Sequence, residues 1–311
     1  MQRRRLGASG LEVSEIGLGC NNFGGRIDQV RTQAVVDAAL AVGINFFDTA
    51  DVYGGTLSEE FLGQALGRRR SEVVLATKFG LQVGADPRAK GGSRRWVTQA
   101  AEDSLRRLKT DYIDLYQFHS PDPATPIEET LRALDDLVRA GKVRFVGNSN
   151  FDAGQMAEAD ATAKGAGLAR FVSAQNELSL LSRAAETGLL PECERLGLGF
   201  LPYFPLAAGM LSGKYHRGEA PGEGTRLAGW GSRADRILND ANFARVEALA
   251  AWAEARGRTI LDLAFAWLLA HPAIPSVVAG ATSPQQVQAN AAAAGWRLTP
   301  EEVAEVSVLS G

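Results

Sequence analysis

Ile44-Asn45-Phe46-Phe47-Asp48, Val73-Val74-Leu75-Ala76-Thr77-Lys78 and Tyr112-Ile113-Asp114-Leu115-Tyr116-Gln117-Phe118-His119 are short apolar runs, and each closes on a polar residue. Runs of this kind read as strands of a parallel sheet, buried on both faces. Helical patterns separate them, which is the alternation of a βα barrel or a doubly wound sheet. Barrels place their chemistry at the C-terminal ends of the strands, where Asp48, Lys78 and His119 stand. Tyr53 follows Asp48 by one helical turn and a residue, in the loop above that strand. An acid, a phenol, an ammonium and an imidazole are thus expected on one face. That set is able to give a proton to a carbonyl oxygen.

Working outward, residues 3–13 read as a small hairpin turning at Ala8-Ser9-Gly10. Strand-like runs follow at 16–19, 44–48, 73–78, 112–118, 143–148, 171–175, 199–203 and 274–279. Helical patterns cover 29–42, 57–69, 95–108, 127–140, 152–165, 186–196, 241–256, 259–271 and 284–294. Eight strands with interleaved helices fit a (β/α)8 TIM barrel better than an open sheet, with residues 1–311 as one domain. Two connections are long, 80–93 and 215–239, and the second holds five glycines. Both follow strand ends, so the first is expected to form a substrate rim and the second a ligand latch. A plain insertion is the alternative for each.

Composition excludes several classes. A net charge of -3 and a pI near 5.8 give no reason to expect nucleic acid. Arg3-Arg4-Arg5 is followed by Gly7, Ser9 and Gly10 rather than an apolar stretch, so no signal peptide is expected. The apolar run 263–270 is far too short for a bilayer. Cys20 and Cys193, the two cysteines, suit a reducing compartment, and a cytoplasmic location is expected. His216 and His271 share no ligand spacing with His119, so no metal site is expected. Gly17-Leu18-Gly19 imitates a dinucleotide fingerprint, but Asn22 stands where its third glycine belongs.

Further motifs then join the first three. They are Asn45 to Gly54, Ala76-Thr77-Lys78, Asp114 to His119, Gly147-Asn148-Ser149-Asn150-Phe151, Gln175-Asn176, Tyr203-Phe204-Pro205-Leu206 and Gly280-Ala281-Thr282-Ser283. In this order and spacing the chain resembles an aldo-keto reductase, from Arg5 to about Asn290. Gly209 to Tyr215 is similar to the branch that includes bacterial reductases and potassium-channel β-subunits. The resemblance implies a (β/α)8 barrel, an NADPH or NADH cofactor and reversible reduction of a small-molecule carbonyl or sugar-like substrate. Tyr53 would match the general acid, Lys78 and Asp48 its salt-bridged partners, and His119 the residue that orients the carbonyl. Ser149, Asn150 and Gln175 would hold the carboxamide, and Tyr203 would stack on the nicotinamide. Cys20, Asp48, Phe204, Pro205, Leu206, Gly280, Thr282, Gln286 and Asn290 would complete the cofactor contacts, with Lys214 and Arg226 near the phosphates. Asn21, Phe23, Phe79 and Trp230 would wall the substrate pocket.

The physical logic of the acid stands beside this. A free tyrosine has a pKa near 10, and a nearby ammonium lowers it. Lys78 is expected to do so, with Asp48 holding Lys78 charged.

Three positions depart from the family. Gln286 stands where many NADPH-specific members place a basic residue, so NADPH is expected to be preferred and NADH used measurably. Phe204 replaces a common serine. Asn21 lies where relatives often place an aromatic, which points to a polar mouth. Other functions share these residues. One is the same chemistry reversed, in an NAD(P)-linked aldose or alcohol dehydrogenase. A second is a nucleotide-binding regulatory subunit, although the channel branch carries asparagine at the position of His119. A third is a Schiff-base lyase on Lys78. The oligomeric state stays open.

Overall fold

The computed structural model describes residues 1–311, the side chain of Arg233 excepted. Strands β1 (Arg3–Arg5) and β2 (Glu12–Ser14) form an antiparallel hairpin. Eight parallel strands follow: β3 (Ile16–Gly19), β4 (Phe46–Asp48), β5 (Val74–Phe79), β6 (Ile113–Phe118), β7 (Val143–Ser149), β8 (Phe171–Glu177), β9 (Gly199–Tyr203) and β10 (Val277–Gly280). Their order is β10-β3-β4-β5-β6-β7-β8-β9. The two ends of this sheet come together, for Phe200 N–H donates to Ala273 O at 2.7 Å just ahead of β10. A (β/α)8 barrel results, as the alternation requires.

The pleat sorts each strand's side chains. Phe46, Val74, Ala76, Leu115, Leu201 and Val278 turn inward and meet Leu6, Leu11 and Val13 of the hairpin segment. The hairpin therefore plugs the lower end of the barrel. Phe47, Leu75, Phe79, Tyr116 and Phe118 turn outward into the larger core beneath the helices. Burying each such ring contributes roughly 1.5–3 kcal/mol.

The helices are α1 (Gln29–Ala41), α2 (Leu57–Leu66), α3 (Arg94–Leu108), α4 (Ile127–Arg139), α5 (Ala153–Ala166), α6 (Leu189–Leu196), α7 (Asp240–Glu254), α8 (Ile260–Leu269), α9 (Pro284–Ala293) and α10 (Pro300–Ser310). Local chemistry sets their ends. Asp152 and Gln155 form a capping box on α5, and Gly167 closes that helix in the left-handed region. Helix α2 stops at Leu66 rather than running to 69, because Gly67 takes φ +49°. Helix α6 begins at Leu189, three residues later than its pattern, because Gly188 breaks it from the short turn Ala184–Thr187.

Helix α10 is absent from the sequence expectation. It buries only Val306 and Ser310, so its apolar stripe is thin. Its signal was the capping box Thr299-Pro300-Glu301-Glu302. Among the described residues no helix is long and apolar enough to cross a membrane.

Candidate active site

Asp48, Lys78, Gln117 and Gln175 form the layer above the apolar plug. Lys78 Nζ donates to Asp48 Oδ2 at 2.6 Å and to Thr49 O at 2.8 Å. Asp48 Oδ1 accepts from Gln117 Nε2 at 2.9 Å and from Gln175 Nε2 at 3.0 Å. Every donor comes from a different strand or strand end, so closure of the barrel assembles the set.

Tyr53 arrives by a short, defined path. Beyond β4 the chain stays paired with β5, Thr49 N–H to Ala76 O at 2.9 Å and Asp51 N–H to Lys78 O at 3.2 Å. It then turns through Tyr53–Thr56. Gly54 takes φ +59°, and a Cβ there would lie 2.4 Å from Phe23 O. Only glycine closes that turn. Tyr53 OH thereby comes 3.4 Å from Lys78 Nζ. His119 stands edge-on to the Tyr53 ring, centroids 5.8 Å apart.

The electrostatics follow from burial and these partners. Burial works against the Lys78 ammonium, but Asp48 and Tyr53 outweigh it, and its pKa lies above the ordinary value. Burial also raises the Tyr53 phenol, and the opposing pull of Lys78 is smaller. The expectation of a lowered tyrosine pKa is therefore corrected: in this pocket desolvation wins. Burial and the neighbouring Lys78 charge push His119 down to about 3, so its imidazole is neutral. Burial keeps the Cys20 thiol well above its usual pKa, with Asp48 adding to the effect.

These groups open on one cavity of about 780 Å³. Its wall carries Cys20, Asn21, Asp48, Tyr53, His119, Ser149, Asn150, Gln175, Tyr203, Phe204, Pro205 and Leu206. Farther along it carries Lys214, Arg226, Gly280, Thr282, Gln286 and Asn290. Lys78 stands directly behind the wall, fully buried. Tyr203 OH donates to Asn150 Oδ1 at 2.9 Å, and Asn150 Nδ2 donates to Ser149 Oγ at 3.0 Å. Gln286 Oε1 accepts from Thr282 N–H at 2.8 Å, ahead of α9. Asn150, Phe204 and Ala208 line the cavity with positive φ, a conformation that costs energy and concentrates at functional sites.

Three pocket expectations need correction. Phe79 follows the inward Lys78 by one residue, so the pleat turns it outward, stacked on Tyr116 and Phe118 at 4.7 and 5.0 Å. Phe23 is fully buried in the same outer core. Trp230 is not among the residues of the cavity wall, though it packs edge-on against Phe204, which is, with centroids 6.1 Å apart. The segment 80–93 contributes nothing to the cavity. It is pinned sideways, Gly92 N–H to Asp122 Oδ2 at 2.9 Å and Thr130 Oγ1 to Gly92 O at 2.8 Å. The segment 215–239 does reach the cavity, through Glu223, Gly224, Thr225 and Arg226.

Gln117 and Arg26 are among the contributors that escaped the sequence reading. Gln117 had a signal, since it stands two residues before His119 and shares its face. Arg26 lines the cavity with no local pattern to mark it.

The contents of the cavity suit a dinucleotide. An aromatic face, amide partners and three cations lie along one groove long enough to run from Tyr53 to α9. Comparison with known proteins agrees. The chain is 37% identical to a probable voltage-gated potassium channel subunit beta of Oryza sativa subsp. japonica, over 99% of this chain and 96% of that one. It is 37% identical to the uncharacterized oxidoreductase YrpG of Bacillus subtilis, over 93% and 89%. It is 33% identical to the aldo-keto reductase YhdN of the same organism, over 99% and 93%. The model of the aldo/keto reductase family matches residues 15–310, which takes in all eight barrel strands and the segment over the groove. The chain belongs to that family of oxidoreductases, whose members generally use nicotinamide cofactors.

Proposed function

We propose that the protein reduces an aldehyde or ketone to an alcohol, using NADPH as the preferred cofactor and Tyr53 as the proton donor. The observation that carries this reading is the placement of Tyr53 OH, 3.4 Å from Lys78 Nζ, on the cavity beside His119. A bound nicotinamide supplies the hydride. The protein's part is to orient the carbonyl and to move one proton. Tyr53 holds its proton through the neutral range, because burial keeps its pKa up. A phenol is still a far stronger acid than the alcohol being formed, so transfer runs downhill once charge gathers on the carbonyl oxygen. The phenolate left behind faces the Lys78 ammonium, which Asp48 holds in place. Neutral His119 donates a hydrogen bond to the same oxygen from the other side.

NADPH preference is supported by Lys214 and Arg226 on the cavity, and NADH is also used because α9 presents Gln286 instead of a cation. A tenfold or greater preference for NADH in kcat/KM would overturn that part. The cytoplasm suits the two free buried thiols, Cys20 and Cys193. The plant relatives named as channel subunits motivate a second reading, a nucleotide-dependent regulatory subunit. His119, where that branch is expected to carry asparagine, favours the enzyme.

The test is NADPH consumption with an activated aromatic aldehyde, wild type against Tyr53→Phe. The variant keeps the ring and loses only the acid. A fall in kcat of about 100-fold or more is expected. Equal rates in the two proteins remove Tyr53 from the chemistry.

A further inference from the structure

The turn that carries Tyr53 is costly to hold. Gly54, Gly55 and Thr56 follow one another at φ +59°, +65° and +84°, and a β-branched residue rarely adopts such a backbone. The turn therefore depends on what pins its two legs. On the leg after it, Ser58 Oγ donates to Cys20 O at 2.8 Å, and Glu59 accepts from Thr77 Oγ1 and Arg107 Nε. On the leg before it, Asp51 N–H meets Lys78 O and Tyr53 N–H meets Ala50 O, both at 3.2 Å.

Each leg also buries an acid. Asp51 is 1% exposed and Glu59 is fully buried. The groups that act on Asp51 are Glu59 of α2, Arg107 of α3 and Lys78 of β5, and Asp51 in turn acts on Tyr116 of β6. Asp103, also of α3, acts on Tyr116 and pairs with Arg106. Arg107 is committed to Glu59, and neither Asp51 oxygen has a hydrogen-bond partner. Ionised, Asp51 would set a second carboxylate against Glu59 across the two legs of one turn. Such a group repels its neighbour and seeks water, and its leg leads directly into Tyr53.

We propose that Asp51 is a positioning residue for the proton donor: its neutral carboxyl lets the turn 53–56 close beside Glu59, and ionising it loosens the turn and withdraws Tyr53 from Lys78. The inference deepens the reductase reading and rests on it for the role of Tyr53. Tyr53, Lys78 and Cys20 titrate above their ordinary values and His119 near 3, whereas burial and then Glu59 place Asp51 at about 8. Among these groups only Asp51 changes charge between pH 7 and 9. The protonated form is the active one, so activity is present below that range and falls as pH rises through it.

The experiment is the pH profile of kcat/KM for wild type, Asp51→Asn and Asp51→Ser, beside hydrogen–deuterium exchange of peptides spanning 49–58 at pH 7 and 9, corrected for the intrinsic pH dependence of exchange. Neither variant can ionise at 51, and the shape of the profile is read rather than its height, so a slower but folded variant still decides. Wild type at pH 9 is expected about tenfold below its neutral plateau, with both variants flat. Exchange in 49–58 is expected to rise at pH 9 in wild type alone. A limb that persists in both variants, or exchange that responds to pH alike in all three proteins, overturns the inference. Exchange needs no turnover. Opening of 49–58 in wild type alone, in a protein that reduces no carbonyl, would uphold the Asp51 control of the turn and remove the reductase reading.

Discussion

Asp48 ends β4, Asp51 stands three residues later in the loop above it, and both are buried. Asp48 faces into the barrel and receives an ammonium and two amides. Asp51 faces the layer of α2 and α3, where neither of its oxygens has a protein partner. Its neighbours there are Glu59, Arg107 and Tyr116. Glu59 takes the available donors, Thr77 Oγ1 at 2.5 Å and Arg107 Nε at 2.7 Å. One guanidinium cannot neutralise two buried carboxylates, so the proton stays on Asp51. Burial first, and Glu59 second, push Asp51 up to about 8. The pair teaches that burial alone does not set the charge of an acid. The donors within reach decide it.

The sharpest way to break the comparison is to neutralise each acid. Asp48→Asn strips the counter-charge from Lys78, a fully buried ammonium. A loss of about 3–5 kcal/mol in urea unfolding at pH 7 is expected, together with loss of activity. Asp51→Asn removes a group that prefers to be neutral, so it should be harmless or stabilising. Equal losses from the two variants would end the distinction.

The pH dependence sharpens it next. The unfolded chain releases the Asp51 proton near pH 4, and the folded chain near 8. Between these values the folded state binds the extra proton, so stability falls as pH rises. The slope is at most about 1.4 kcal/mol per pH unit. Melting temperatures from pH 5 to 9 should show Asp51→Asn gaining on wild type up to about pH 8 and holding its lead above. Parallel curves would mean that Asp51 is ionised throughout.

A third test concerns His119. With its pKa near 3, the imidazole does not titrate between pH 5 and 8. The kcat/KM profile should therefore lack a histidine limb near 6.5, and a limb there that vanishes in His119→Gln would contradict the burial argument. The smallest effect is reserved for Gln117→Leu. It removes one of two amides from Asp48 Oδ1, worth about 1 kcal/mol, so a several-fold fall in kcat is expected. No change would mean that Gln175 alone holds the carboxylate.

Much of this was legible in the residues. Phe46-Phe47-Asp48 and Val74 to Lys78 announce strands because a parallel sheet buries both faces, and that writes an unbroken apolar run. The same pleat, applied one residue further, would have turned Phe79 away from the pocket. The Tyr53 pKa was misjudged because a linear sequence names the helpful neighbour, Lys78, and hides the water lost around both. Helix α10 went unseen because two buried residues make no stripe.

By itself the sequence determined the alternation of strands and helices, the strand ends that carry Asp48, Lys78 and His119, and the glycine that turns Tyr53 back. These are local matters of period, sterics and capping. Only the tertiary structure decided that Asp51 keeps its proton and that Arg26 lines the cavity. Both depend on partners brought from distant elements, Glu59 and Arg107 in one case and Gly224 in the other. Charge and hydrogen bonding are properties of the space around a group, and that space exists only once the barrel has closed.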